Sequence, residues 1–242
     1  MSFKLKTRTL FSVEVVQIRD ISPRMRRITV IGDGLRTLNV EKPAQWMKVF
    51  FPETESAGSI GRAYTIRDFE AAAGRMDLDF VLHGDEGPAS HWAVRARLGE
   101  TLSVAGPRGG YDIDPSEENY LLIGDATALP AIAAIVKKLP DGTRAETIIE
   151  IADMQEEQIL RGSTLARTQW LHSGNRPPGT TGQIEAAVRA AQIDPESTRI
   201  WVAGESLMVR AVLDHLLVER GVPRESIRSA GYWKRGLADY HD

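Results

Sequence analysis

Through the first half of the chain apolar positions come in short runs. Gly, Pro, Asp or Ser clusters break most of these runs apart. Runs at 11–19, 25–31, 45–51, 62–67, 76–82 and 101–105, rich in Val, Ile, Phe and Thr, predict β-strands. Strands at this spacing without long intervening helices predict a small barrel or sandwich. One short helix fits 88–97, with Pro88 in its first turn.

The second half has a different pattern. An apolar strand at 120–124 leads into a helix at 129–138 and a strand at 147–152. A strand at 199–203, a helix at 206–220 and a last strand near 227–231 follow. On that last helix Val209, Val212, Leu213, Leu216 and Leu217 fall on one stripe. Alternating strands and helices imply a parallel sheet covered on both faces. The join is expected within 107–119, which is polar and rich in Gly, Pro and acidic residues. Residues 173–182 (SGNRPPGTTG) read as a loop inside the second half. No internal repeat is visible.

Composition narrows the chemistry. The chain has 242 residues, 42% of them hydrophobic and 26% charged, and a net charge of -3. Ordinary globular usage excludes disorder, and the charge balance argues against a general nucleic-acid binder. No run approaches the roughly 18 apolar residues of a membrane span. The N-terminus shows no apolar core followed by a cleavage site, so the cytoplasm is the expected location. There is no cysteine. Disulfides, thiolate nucleophiles and cysteine-held metal centres are therefore excluded. The histidines at 83, 91, 172, 215 and 241 show no familiar metal spacing, and no protein-bound metal is expected. Any redox chemistry then needs an organic cofactor.

Three stretches could hold one. In Arg62-Ala63-Tyr64-Thr65-Ile66-Arg67, a strand would project Arg62 and Tyr64 to one face and Thr65 to the other. A guanidinium can fork onto a pyrophosphate, an aromatic ring can cover a planar heterocycle, and a hydroxyl can bond a ring nitrogen. An ordinary strand of alternating polarity reads the same way. Next, Asp79-Phe80-Val81-Leu82-His83-Gly84 runs towards Gly87-Pro88-Ala89-Ser90-His91-Trp92, where a helix N-terminus offers free N–H groups to a phosphate. His83 reads equally as a structural histidine, and Trp92 as a core anchor. Third, Gly124-Asp125-Ala126-Thr127-Ala128 forms the first strand-to-helix turn of the α/β half, where dinucleotides bind in such folds.

With Trp201-Val202-Ala203-Gly204-Glu205 and the closing Gly231-Tyr232-Trp233-Lys234-Arg235-Gly236, the order of these motifs resembles the siderophore-interacting protein family, from about Phe11 to Gly236. That family comprises FAD-containing ferric-siderophore reductases of the ferredoxin-reductase-like superfamily. The resemblance implies an N-terminal Greek-key flavin-binding β-barrel (1–115) followed by a Rossmann-like α/β parallel-sheet domain that binds NAD(P)H (116–242).

It further implies that Arg62 holds the pyrophosphate, Tyr64 covers the isoalloxazine and Thr65 lies near its N5. Phe80, Val81 and His83 lie beside the flavin, and Gly87, Pro88, Ala89 and Ser90 form the pyrophosphate turn. Asp125, Thr127, Ala128 and Trp233 touch the cofactor, and Ala203, Gly204 and Glu205 meet the nicotinamide. Ala126 stands where the family often carries an acid. A basic rim of Lys48, Lys234 and Arg235 would hold the ferric siderophore, with Arg108 added from its place at the domain join.

The expected activity moves electrons from NADH or NADPH, with ferredoxin as an alternative donor, through FAD to chelated Fe(III). Acids at Glu150 and Asp153 point to NADH over NADPH, although a solvated acidic loop reads the same way. A flavin reductase serving a partner protein and a non-enzymatic siderophore carrier are the competing readings.

Overall fold

A computed structural model describes residues 9–51, 60–82, 87–162, 166–237 and 240. Strands β1 (Phe11–Ser22), β2 (Met25–Ile31), β3 (Gln45–Phe51), β4 (Ile60–Glu70), β5 (Arg75–Val81) and β6 (Thr101–Gly109) close a barrel in the order β1-β2-β5-β4-β3-β6. The neighbouring strands pair antiparallel. Strands β3, β4 and β5 follow one another through hairpin connections and β6 returns beside β3, which is a Greek key.

Alternation fixes which side chains fill the barrel. On β3, Met47, Val49 and Phe51 point inward while Trp46, Lys48 and Phe50 lie on the outer face. Strand β5 is buried on both sides. Met76, Leu78 and Phe80 fill the core, and Asp77 and Asp79 are buried opposite them. Each of those acids has a partner. Arg27 forks onto Asp79 at 2.6 and 2.7 Å, and the Thr29 hydroxyl donates to Asp77 at 2.8 Å.

Beyond the barrel, β7 (Asn119–Asp125), β8 (Arg144–Ile151), β9 (Arg167–His172), β10 (Thr198–Glu205) and β11 (Ile227–Trp233) form a parallel sheet in the order β11-β10-β7-β8-β9. The central strands are apolar on both faces, as such sheets require. Tyr120 and Leu122 share one cluster with helix α2 (Leu129–Lys138) and with Met25, Ala44 and Tyr111 of the preceding half. Leu121 and Ile123 pack instead against α3 (Gln183–Ala190) and α4 (Ser206–Asp214). The strand order turns back between β7 and β10, so the ligand crevice of such a sheet opens at their carboxyl ends.

Four details differ from the sequence reading. Strand β6 runs through Pro107 and Arg108 to Gly109, paired with β3, so the connection between the halves starts only at 110. Strand β9 is a half-exposed edge strand (RTQWLH) without a continuous apolar run, and it gave no signal. Helix α3 is short and buries only Ile184, Ala187 and Val188. The last helix is α-helical only to Asp214, and a π-helical turn spans His215–Glu219.

Polar contacts tie the halves together. Glu156, buried just after β8, accepts the Ser22 hydroxyl at 2.5 Å and the Arg24 N–H at 2.9 Å from the β1–β2 turn. Lys137 at the end of α2 donates to Asp68 of β4 at 2.6 Å. Among the described residues no helix is long and apolar enough to cross a membrane.

Candidate functional site

Strand β4 carries candidate side chains on both of its faces, because adjacent residues of a strand point opposite ways. Tyr64 lies opposite Met47 and so turns inward at the barrel's end. Its ring sits 4.2 Å from Phe80 and meets Phe51 edge-on at 6.1 Å. Trp92 of α1 (Pro88–Arg95) joins the same cluster, 5.3 Å from Phe51 and 5.5 Å from Phe80. Burial pushes the Tyr64 hydroxyl well above its ordinary value, so it stays neutral. Arg62, two residues back on the same side, is half-buried and donates to the Gly61 carbonyl at 3.2 Å.

Helix α1 begins beside this cluster. Gly87 precedes it at φ +91, a conformation few side chains adopt, and nothing lies within 4 Å of where its Cβ would stand. Pro88 opens the helix, and Ala89 and Ser90 are buried. Val81, at the end of β5, packs towards the cluster shared with the α/β half. His83 lies outside the described residues. The Trp92 indole Nε1 is buried without a protein partner. An aromatic cluster, a guanidinium, a helix N-terminus in open space and one unpaired buried donor together fit a flavin dinucleotide.

Thr65 faces outward, opposite Trp46 on β3, and is only 8% exposed. On β11, burial lifts the Tyr232 hydroxyl to about 12, and its ring meets Trp201 edge-on at 6.3 Å.

A second group gathers at the carboxyl ends of β7, β8 and β10. Asp125 Oδ1 accepts the Thr127 N–H at 2.8 Å and its hydroxyl at 2.5 Å. Its Oδ2 accepts the Glu205 N–H at 2.9 Å and the Trp233 indole N–H at 2.8 Å. Burial nonetheless raises the Asp125 pKa, outweighing these four donors. Gly204 makes the approach of the two strands feasible: its φ is +141, and a Cβ there would stand 2.6 Å from Asp125 Oδ2. Glu205 caps α4, accepting from the N–H groups of Leu207 at 2.6 Å and Met208 at 3.0 Å, and also from Arg235 N–H at 3.2 Å. Ala203 and Ala128 are fully buried.

The loop at 173–182 lies over this edge. Its Thr181 hydroxyl donates to Glu150, whose pKa burial also raises. Gly179, at φ +70, approaches so closely that a Cβ would stand 2.8 Å from Glu205 Cγ and 3.2 Å from the Trp233 ring.

The basic candidates share the outer face of the barrel. Lys48 pairs with Ala63 of β4, and its stem crosses Gly61 so closely that a Cβ there would stand 2.5 Å from Lys48 Cε. Arg108 pairs with Trp46, and its guanidinium lies 5.5 Å from that ring's centroid. Cross-strand register thus places Arg108, Trp46 and Thr65 in one row on β6, β3 and β4, with Lys48 beside it. Half-buried Lys234 and exposed Arg235 follow Trp233 directly, in a turn closed by a Lys234–Leu237 bridge. Among the described residues no group of three or more metal-ligating side chains converges.

A closed antiparallel barrel followed by a doubly wound parallel sheet defines a ferredoxin-reductase-like protein. At 20% identity and a TM-score of 0.73, covering 93% of this chain and 70% of the other, the ferredoxin reductase in carbazole 1,9a-dioxygenase is alike in fold. The siderophore-interacting FAD-binding domain profile matches residues 14–60 and 54–111, and the siderophore-interacting protein profile matches 117–236. The chain belongs to the siderophore-interacting protein family. It is 33% identical to a siderophore utilization protein from T. fusca, with a TM-score of 0.88 over 96% of this chain and 95% of that one. It is also 28% identical to the ferric vibriobactin reductase ViuB of Vibrio cholerae, over 95% of this chain and 92% of ViuB.

Proposed function

We propose that the protein is an FAD-dependent reductase of ferric siderophores, supplied with electrons by a nicotinamide or by ferredoxin. The observation that carries the reading is the pairing of the family match across both halves with the basic side chains Lys48 and Arg108 on the outer face of the barrel. Bound FAD supplies the conversion of a two-electron donor into two one-electron transfers. One hydride equivalent thus reduces two chelated Fe(III) ions to Fe(II), releases one proton and loosens both chelates.

The chain's own part is binding and placement. Arg62 and the α1 N-terminus, with Gly87, Pro88, Ala89 and Ser90, hold the pyrophosphate. Tyr64 and Val81 line the ring with Phe80 packed behind Tyr64, Thr65 addresses its N5, and Asp125, Thr127 and Trp233 close the site from the α/β half, with Ala128 packed behind them. Lys48, Arg108, Lys234 and Arg235 attract an anionic ferric chelate. The nicotinamide half is assigned to Ala203, Gly204 and Glu205 at the end of β10. The acid at Glu150 favours NADH over NADPH. We assign residues 1–115 to the flavin half and 116–242 to the donor half.

The test offers a ferric catecholate siderophore to purified yellow holoprotein with NADH, NADPH or reduced ferredoxin, side by side, trapping Fe(II) with a chromogenic chelator. Fe(II) release without any further protein is the expected outcome. A colourless protein that binds the chelate without reducing it identifies a carrier. Flavin turnover that leaves the chelate untouched identifies a reductase for a partner protein.

A further inference from the structure

The loop 173–182 crosses the crevice that a nicotinamide donor needs open. On one side it reaches β8, where the Thr181 hydroxyl donates to Glu150. On the other, Gly179 stands against Glu205 at the end of β10 and Trp233 at the end of β11, where a Cβ would meet them at 2.8 and 3.2 Å. Strand β7 lies between β8 and β10, so the loop straddles its carboxyl end, at the point where the strand order turns back. Thr181 also offers Glu150 what a ribose would offer, a hydroxyl to a carboxylate. Glu150 is the acid read above as favouring NADH, and the chain's own hydroxyl already engages it.

The loop is hinged at both ends. Gly174 and Gly182 bound it at φ +61 and +67, and nothing lies within 4 Å of where their Cβ atoms would stand, so both can absorb a change of backbone angles. Between them the chain is held to itself. Pro177 and Pro178 fix their own φ, the Arg176 N–H donates to the Ser173 carbonyl at 3.2 Å, and the Thr180 hydroxyl donates to the Pro177 carbonyl at 2.6 Å. Between the hinges the long-range hydrogen bond, among the described residues, is that of Thr181 to Glu150. The same hydroxyl accepts the Gln183 N–H at 3.2 Å, which ties the latch to the start of α3.

We propose that this loop is a strap over the donor crevice and that Thr181 sets donor affinity by holding it shut, a dinucleotide binding in exchange for the Thr181–Glu150 bond. This rests on the nicotinamide reading above and adds the residues that compete with the donor. An apparent dissociation constant is the intrinsic one divided by the fraction of molecules that are open. Thr181→Val removes the latch. Gly179→Ala sets a methyl group against Glu205 and Trp233 at φ +70. Each raises the open fraction.

The test measures NAD+ binding to the oxidised holoprotein by calorimetry, and amide hydrogen exchange along the chain, in wild type, Thr181→Val, Thr181→Ser and Gly179→Ala. Thr181→Val and Gly179→Ala are expected to bind NAD+ about tenfold more tightly, the size of one hydrogen bond to a carboxylate, and Thr181→Ser to keep the wild-type affinity. Saturating NAD+ should speed exchange at Thr181 and Gln183 in wild type, and the two loosened variants should exchange fast there without it. Unchanged exchange in the barrel strands shows that each variant is folded. If wild type binds NAD+ and neither loosened variant binds it more tightly, or NAD+ leaves exchange in the loop unchanged, the strap is overturned and the nicotinamide reading stands. If neither wild type nor the loosened variants bind NAD+, the nicotinamide reading fails and the strap with it.

Discussion

Asp125→Asn exchanges one carboxylate oxygen for an NH2 group at a point where both oxygens are used as acceptors. The Thr127 N–H and hydroxyl converge on one oxygen, and the Glu205 N–H and Trp233 indole N–H on the other. An asparagine has one acceptor oxygen, so in either amide orientation its NH2 faces two donors. The cheaper orientation turns the NH2 towards Thr127, whose hydroxyl can rotate and accept from it, so the Thr127 N–H alone is left unpaired.

At about 1–3 kcal/mol for an unsatisfied group, and with the lower half of that range suited to partial burial, the variant should lose about 1.5 kcal/mol. The relief of burying a charge, which raises the wild-type pKa, offsets only part of this. For a chain of this size about 1.5 kcal/mol corresponds to a melting temperature lower by about 3–6 °C. Thermal unfolding followed by tryptophan fluorescence reads both the melt and the surroundings of Trp233. A shift under about 2 °C would show that the carboxylate is not the hub of this edge, and the hydrogen-bond argument would fall.

Arg62→Ala should weaken FAD binding about 10- to 100-fold, the size of a lost charge-assisted contact, and a variant purified with full flavin content would refute the assignment. The KM for an anionic ferric siderophore should rise with salt and with Lys48→Ala/Lys234→Ala. The Debye length falls from about 10 Å at 0.1 M to about 3 Å at 1 M, so equal salt sensitivity for a neutral chelate would count against the basic rim. Glu150 has a pKa raised by burial, so its native form holds a proton that the unfolded chain has already released. Its stabilising share is therefore full below the ordinary carboxylate range and lost as pH rises through the raised value. Glu150→Gln, whose carbonyl can still accept from Thr181, should flatten that slope in urea unfolding measured from pH 4 to pH 8, and an unchanged slope would refute it.

Much of this protein follows from the sequence alone. Apolar runs broken by Gly, Pro and Asp fixed β2 and β3 to the residue, and the apolar run 129–138 did the same for α2, because each is an apolar run that ends near a Gly, Pro or Asp. The absence of cysteine turned any redox reading towards an organic cofactor. The motif strand 62–67 could be read because its residue types carry their chemistry with them. Edge strand β9 and short helix α3 could not be read, since each buries too few residues to leave a period.

What the tertiary structure alone decided are meetings between residues distant in sequence. Glu156 holds the β1–β2 turn, Lys137 reaches Asp68, and Asp125 gathers Glu205 and Trp233. Each depends on how elements distant in sequence approach in space. Gly179 reads as an ordinary loop glycine in the sequence and Gly204 as a nicotinamide contact, and only the crowding at the carboxyl edge of the sheet shows why a side chain has no room at either. A linear pattern records what each element buries. Which hydroxyl meets which carboxylate is settled only when those buried faces pack together.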